Sequence, residues 1–198
     1  MSLDASTFLW RFVRHGESVA NREGFLAGHD DVALTDEGRA AARDLGERLA
    51  GVPIALAISS DLRRARETMQ AILAGRTVPR LTSSALRERD AGAWTGRMIA
   101  SIPEDEREAV MHSWDVAPPG GESLRQVAAR SLGWLSGLRA VPGPLLIVGH
   151  GGALRAVLGA LDGLSGLSGP HRQLIGNTEV LVRDPAAGDW ASWRPRAG

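Results

Sequence analysis

The chain has 198 residues, enough to bury one sizeable α/β core and fewer than two full domains usually need. Basic and acidic side chains number 23 each, so the formal charge is zero, and nothing in that balance favours nucleic acid or an anionic membrane as the main partner. The absence of cysteine excludes disulfides, thiolate metal sites and a cysteine nucleophile.

No stretch approaches the roughly 18 to 20 apolar residues of a membrane span, and the opening MSLDAST lacks the basic start and apolar centre of a secretory signal. A cytoplasmic location is expected. Residues 7–13, TFLWRFV, predict a strand in which Arg11 marks one partly exposed position, with His15 just past its C-terminal end. Thr35 caps a helix through TDEGRAAARDLGERLAG, with acids in its first turn, Ala41, Leu45 and Leu49 at fourfold spacing, and Gly51 past its end. PIALAISS (53–60) predicts a second strand and DLRRARETMQAILAG (61–75) a second helix with Asp61 near its cap.

RTVPRL predicts a short strand. Residues 82–121 then form an irregular insertion that holds LRERDAGAWTG, a charged helical piece and APPGGES; long irregular insertions in compact domains are more often functional than idle. Ser123 with Gln126 makes a capping-box pattern, and Leu124, Val127, Ala128, Leu132, Leu135 and Leu138 stripe the helix behind it. PLLIVGH is a further strand ending in His150, and GGALRAVLGAL the helix that follows. GLSGLSGP (163–170) reads as a loop, while QLIGNTEVLVRD and WASWRPR read as the closing strands of a hairpin. Strands alternating with helices predict a largely parallel sheet with helices on both faces, a single-domain three-layer α/β/α sandwich.

Two of the apolar strands end in Arg14-His15-Gly16 and Gly149-His150-Gly151, and ligands of open α/β sheets gather outside the carboxyl ends of the strands. One strand-end histidine alone is most simply bonded to a backbone carbonyl. Two of them, each followed by glycine, point to a site, because glycine lets a ligand approach the backbone and a helix N-terminus offers free N–H groups to an anion. Arg64, in the first turn of the helix after the second strand, lies at the same end of the sheet. Its neighbours Arg63, Arg66 and Glu67 read as a solvated face with i,i+4 pairing. His29-Asp30-Asp31 reads as a polar turn rather than a metal-ligand set, and His112 and His171, lacking partners, are expected at the surface. Trp94 and Trp114 are candidates for the pocket wall or for core packing.

Four separated segments resemble the histidine phosphatase superfamily, also called phosphoglycerate mutase-like: VRHGES with Asn21; SSDLRRA, where Arg64 immediately precedes alanine; LRERDAGAWTG with Glu88; and IVGHGG with His150. Their order, spanning about 15–151, implies the phosphoglycerate mutase-like fold and one domain over 1–198 with its substrate side at 82–121. It implies His15, Glu88 and His150 as catalytic residues and Arg14, Asn21, Arg64 and the Gly151 backbone as the phosphate seat, with no metal and no cofactor. A phosphate monoester repels nucleophiles until its oxygens are neutralised, which is why cations are needed there. Positive neighbours keep His15 neutral, and a carbonyl on its other nitrogen would fix the tautomer. The resemblance implies a phosphohistidine on His15 that water later hydrolyses, with Glu88 as the acid that protonates the leaving oxygen.

The expected partner is a small-molecule phosphate monoester, with no nucleic acid and no membrane, leaving a homodimer possible. Ala91 and Thr95 stand where many members carry an aromatic residue and a glutamate, and Ala27 where the mutases carry a hydroxyl residue before Gly28. The true mutases are also longer. A phosphomonoester hydrolase is therefore expected, with a phosphoglycerate mutase or a non-catalytic phospho-ligand binder as alternatives. A serine hydrolase is disfavoured because no G-x-S-x-G elbow occurs.

Overall fold

The computed structural model describes residues 9–163 and 174–184. Five strands form one sheet in the order β3-β2-β4-β1-β5. They are β1 (Trp10–Arg14), β2 (Leu56–Ser60), β3 (Arg80–Ser83), β4 (Leu145–Gly149) and β5 (Val180–Arg183), and only β5, paired with β1, runs antiparallel. Among the described residues six α-helices accompany them: α1 (Val19–Glu23), α2 (Asp36–Arg48), α3 (Arg63–Ile72), α4 (Glu104–His112), α5 (Leu124–Ser136) and α6 (Gly151–Leu161).

The pleat sorts the apolar residues into two cores. Trp10, Phe12, Leu56, Ile58, Leu145 and Ile147 face α5 and α6, whereas Val13, Ala57, Leu146 and Val148 face α2 and α3. Helices thus cover both faces, as the alternation of elements predicts. β2 and β4 are buried at every position, which is why they read as unbroken apolar or small-residue runs.

Several boundaries and environments differ from the sequence expectation. Arg11 is not partly exposed: β5 pairs along the outer side of β1, which makes β1 an interior strand, and Arg11 is buried. Asp61 does lie near the cap of α3, one residue before it. Leu62 holds the cap position with no side-chain hydrogen bond, and Asp61 instead receives two hydrogen bonds from Arg87. The strand expected at RTVPRL begins four residues later, at Arg80, because its pairing with β2 sets the register. β5 pairs with β1 in the described part of QLIGNTEVLVRD, while WASWRPR, His171 and nearly all of GLSGLSGP lie outside the described residues.

The strand end that carries His15 is fixed by a very close approach. A Cβ on Gly16 would lie 2.5 Å from the carbonyl oxygen of Gly38 in α2, and one on Gly38 would run into the backbone of Glu17. Neither obstacle is a side chain that can swing away. Thr35 caps α2 by accepting from Gly38 N at 3.0 Å and donates to the Glu17 side chain, so the helix start and the histidine loop form one block. Replacing Gly38 by Ala is expected to lower stability by about 1–3 kcal/mol, read as an earlier midpoint in urea unfolding.

Candidate active site

β1, β4 and β2 lie side by side, so the residues after their C-terminal ends converge. His15 N donates to Gly149 O at 3.0 Å, which sets the end of β1 against the end of β4 and brings the His15 and His150 ring centroids to 5.1 Å. Arg64 enters from the first turn of α3, 2% exposed, with its guanidinium donating to Gly28 O (2.9 Å) and Asp30 O (2.8 Å). These bonds also hold the His29–Asp31 turn beneath the site, where the His29 ring nitrogen meets Glu88 O at 2.8 Å.

His15 Nδ1 is 2.7 Å from Gly16 O. A carbonyl accepts only, so Nδ1 carries the proton and Nε2 presents a lone pair. Burial pulls the His15 pKa down to about 3, and the positive charges of Arg64 and then Arg14 add to the effect, while the Gly16 carbonyl opposes it. The sequence argument gave the cations as the cause; burial is the larger one. His150 is fully buried, and burial, followed by Arg64, His15, Arg130 and His29, holds it well below the ordinary histidine value. Among the described residues, neither nitrogen of His150 nor Arg14 Nε has a hydrogen-bond partner, though all are buried. Buried polar groups are ordinarily satisfied, so Arg14 Nε and the protonated nitrogen of His150 are donors left open to an anion.

Glu88 follows β3 and a short 3-10 turn. Its carboxylate accepts from Gly152 N and Ala153 N, both at 3.0 Å, and from Arg89 N at 2.8 Å, and so seats itself on the first turn of α6. A Cβ on Gly152 would lie 2.6 Å from Glu88 Oε1, so this seat requires glycine. Gly151 N, the first helical amide, has no acceptor within its own helix. Asn21 sits in α1, whose capping box with Ser18 was not foreseen because asparagine takes the place usually held by Glu or Gln. The Asn21 Oδ1 accepts from Ser18 N at 3.1 Å and Asn177 Nδ2 at 3.3 Å, which leaves its NH₂ group as the donor an anion needs. Six of the seven residues predicted for the site line one cavity of about 500 Å³, and the seventh, His150, is fully buried edge-on to the His15 ring.

Three further groups were not foreseen. Arg130 of α5 donates to Ala85 O (2.9 Å), Arg87 O (3.0 Å) and Glu88 O (2.8 Å) while pairing with Glu122, and it thereby fixes the backbone that carries Glu88. Asn177 donates to His15 O at 2.8 Å from a tight turn in which Thr178 adopts φ 57, a strained conformation for a β-branched residue. Arg14 donates to Ile175 O at 2.5 Å, so the 174–178 segment straps the strand end that carries His15. His112 is not a surface residue without a partner: it pairs with Glu108 at 3.1 Å and lines the cavity. Trp94 lines the cavity too, whereas Trp114 packs in the core beside Leu124.

The chain is similar to known proteins in both sequence and fold. The sequence profile of the histidine phosphatase superfamily (branch 1) matches residues 10–195. A 2,3-bisphosphoglycerate-dependent phosphoglycerate mutase 2 of Gloeobacter violaceus is 39% identical over 165 residues, covering 77% of this chain and 75% of its own. A 2,3-bisphosphoglycerate-dependent phosphoglycerate mutase of Mesorhizobium japonicum is 37% identical, covering 78% and 81%. Among solved structures, a mycobacterial glucosyl-3-phosphoglycerate phosphatase complexed with VO3 superposes with a TM-score of 0.77 at 30% identity, covering 88% of this chain and 91% of the other.

Two outcomes follow from the site. His15 is ordinarily protonated near 6.5 and in the fold only near 3, so between those values the unfolded chain binds more protons than the folded one. The stability this group contributes is fully present above pH 6.5 and is lost as the pH falls toward 3. Urea midpoints measured across that window should therefore decline, and His15→Asn should flatten part of the decline. Arg130→Gln should release the Glu88 backbone and lower kcat by about 10- to 100-fold while moving KM less than about threefold; a proportional loss of Tm and KM instead would mark a merely structural role.

Proposed function

The chain belongs to the histidine phosphatase superfamily, and from that membership we propose that it is a phosphomonoester hydrolase working through a phosphohistidine. The observation that carries this reading is the Nδ1 hydrogen bond to Gly16 O, which supports Nε2 as an unprotonated nucleophile in line with buried cations. Arg14, Arg64, His150, Asn21 and Gly151 N take the phosphate oxygens. The His15 Nε2 lone pair attacks phosphorus, the bond from phosphorus to the ester oxygen breaks, and that oxygen takes the proton of Glu88. Water then attacks the phosphohistidine, giving its proton back to Glu88, and inorganic phosphate leaves with His15 restored. Charge neutralisation is assigned to side chains and backbone, so the reaction is read as metal-independent.

The relatives named above include mutases and a phosphatase, and they divide on the fate of the phosphoryl group. Hydrolysis is favoured here because a mutase must shelter its phosphohistidine from water. The cavity of about 500 Å³ is larger than a glycerate alone would fill, so a glycerate would not by itself close the site to water. A mutase remains the second reading on the strength of the sequence relatives alone.

The test is rapid quenching during turnover of a radiolabelled phosphate ester. An acid-labile, alkali-stable label should appear on the protein and vanish in His15→Ala. Glu88→Gln should lower kcat by about 10²- to 10⁴-fold, and activity should survive EDTA. Isomerisation of 3-phosphoglycerate outpacing release of inorganic phosphate would overturn the assignment in favour of the mutase.

A further inference from the structure

The half of the cavity away from His15 is built from a hydrophobic cluster of its own, separate from the two cores that flank the sheet. Ala91, Trp94, Ile102 and Val110 are buried together there, with Leu26 packed against them, and Leu26, Trp94, Ile99 and Ile102 face the cavity. Small side chains at Ala27 and Ala91 leave room along the same wall. About 500 Å³ lies within the ~300–1,000 Å³ typical of sites for sizeable organic ligands and well beyond what a phosphoryl group and three carbons fill.

Two arginines that also line the cavity, Arg89 and Arg155, help hold α4 in place. Arg89 Nη1 donates to Val110 O at 2.8 Å and Arg155 Nη2 to Met111 O at 3.3 Å, both carbonyls of the last turn of α4, which has no further turn to satisfy them. Glu108 is paired with His112, and Arg107 lies 3.9 Å from Glu104. Recognition of a compact carboxylate calls for a guanidinium fork presented bidentately. Here Arg89 and Arg155 each give a donor to backbone, and most of the remaining wall offered to the alcohol is apolar.

Resting on the hydrolase reading, we propose that the alcohol released is bulky and predominantly apolar, seated on the wall of Leu26, Trp94, Ile99 and Ile102, rather than a small hydroxy acid. The phosphate end supplies attachment common to all esters, and the wall supplies the choice among them. Ile99 is 38% exposed and stands at the cavity edge, so it can be made polar without opening the core.

The experiment compares kcat/KM for primary alkyl phosphates whose alcohols have similar acidity: 2-phenylethyl phosphate against glycerol 3-phosphate and 3-phosphoglycerate, followed by release of inorganic phosphate. The phenylethyl ester is expected to lead by about tenfold or more, mainly through KM, and Ile99→Asn is expected to bring the ratio toward one. Equal or faster hydrolysis of glycerol 3-phosphate or 3-phosphoglycerate overturns the inference and leaves the hydrolase reading standing. Phosphate release from none of the three overturns both. A ratio unchanged in Ile99→Asn places the preference elsewhere and overturns the wall as its source.

Discussion

Everything in this molecule is arranged around positive charge held away from water. Arg14 and Arg64 are drawn in past the ends of β1 and β2, the two parallel strands that flank β4, where burial works against both charges and Glu88 is the strongest opposing charge for each. Two neutral imidazoles share the same ground. Such a cluster is costly without an anion and strongly favourable with one, because interactions in a desolvated site are far less screened than in bulk water. The sheet order, the close approach of Gly16 to Gly38 and the seat of Glu88 on α6 all serve to keep these groups converged.

The parts of this arrangement legible in the sequence are those where chemistry interrupts a local pattern. His15 and His150 stand out because each ends an apolar run and precedes a glycine; Arg64 does so by its position after Ile58, Ser59 and Ser60. Local patterns also delivered α2, α5 and α6, whose caps and stripes lie within a few residues of one another. Glu88 was legible only through the likeness of its segment to a known family, since between Arg87 and Arg89 it looks like any solvated acid.

What escaped was long-range. Arg130 lies on the helix striped by Leu124 to Leu135, and nothing around it announces that it reaches back over forty positions to the carbonyls of Ala85 and Glu88. Asn177 sits in a polar stretch that suggests a turn and nothing more. Arg11 misled because a charge in a strand usually means an exposed face, and the later arrival of β5 reverses that inference. The histidine of α4 was misjudged for the same reason: its partner Glu108 is one turn away, but the cavity it faces is assembled from distant parts of the chain.

The strap over Arg14 carries a consequence for how the protein comes into being. Ile175 meets Arg14 across 161 positions of sequence, and Asn177 meets His15 across 162. During synthesis the ribosome delivers His15 long before its brace, so a nascent polypeptide possessing both histidines still lacks the piece that steadies the first of them. The burial of Arg14 at the end of β1 is therefore locked in only once the 174–178 segment has emerged to cover it.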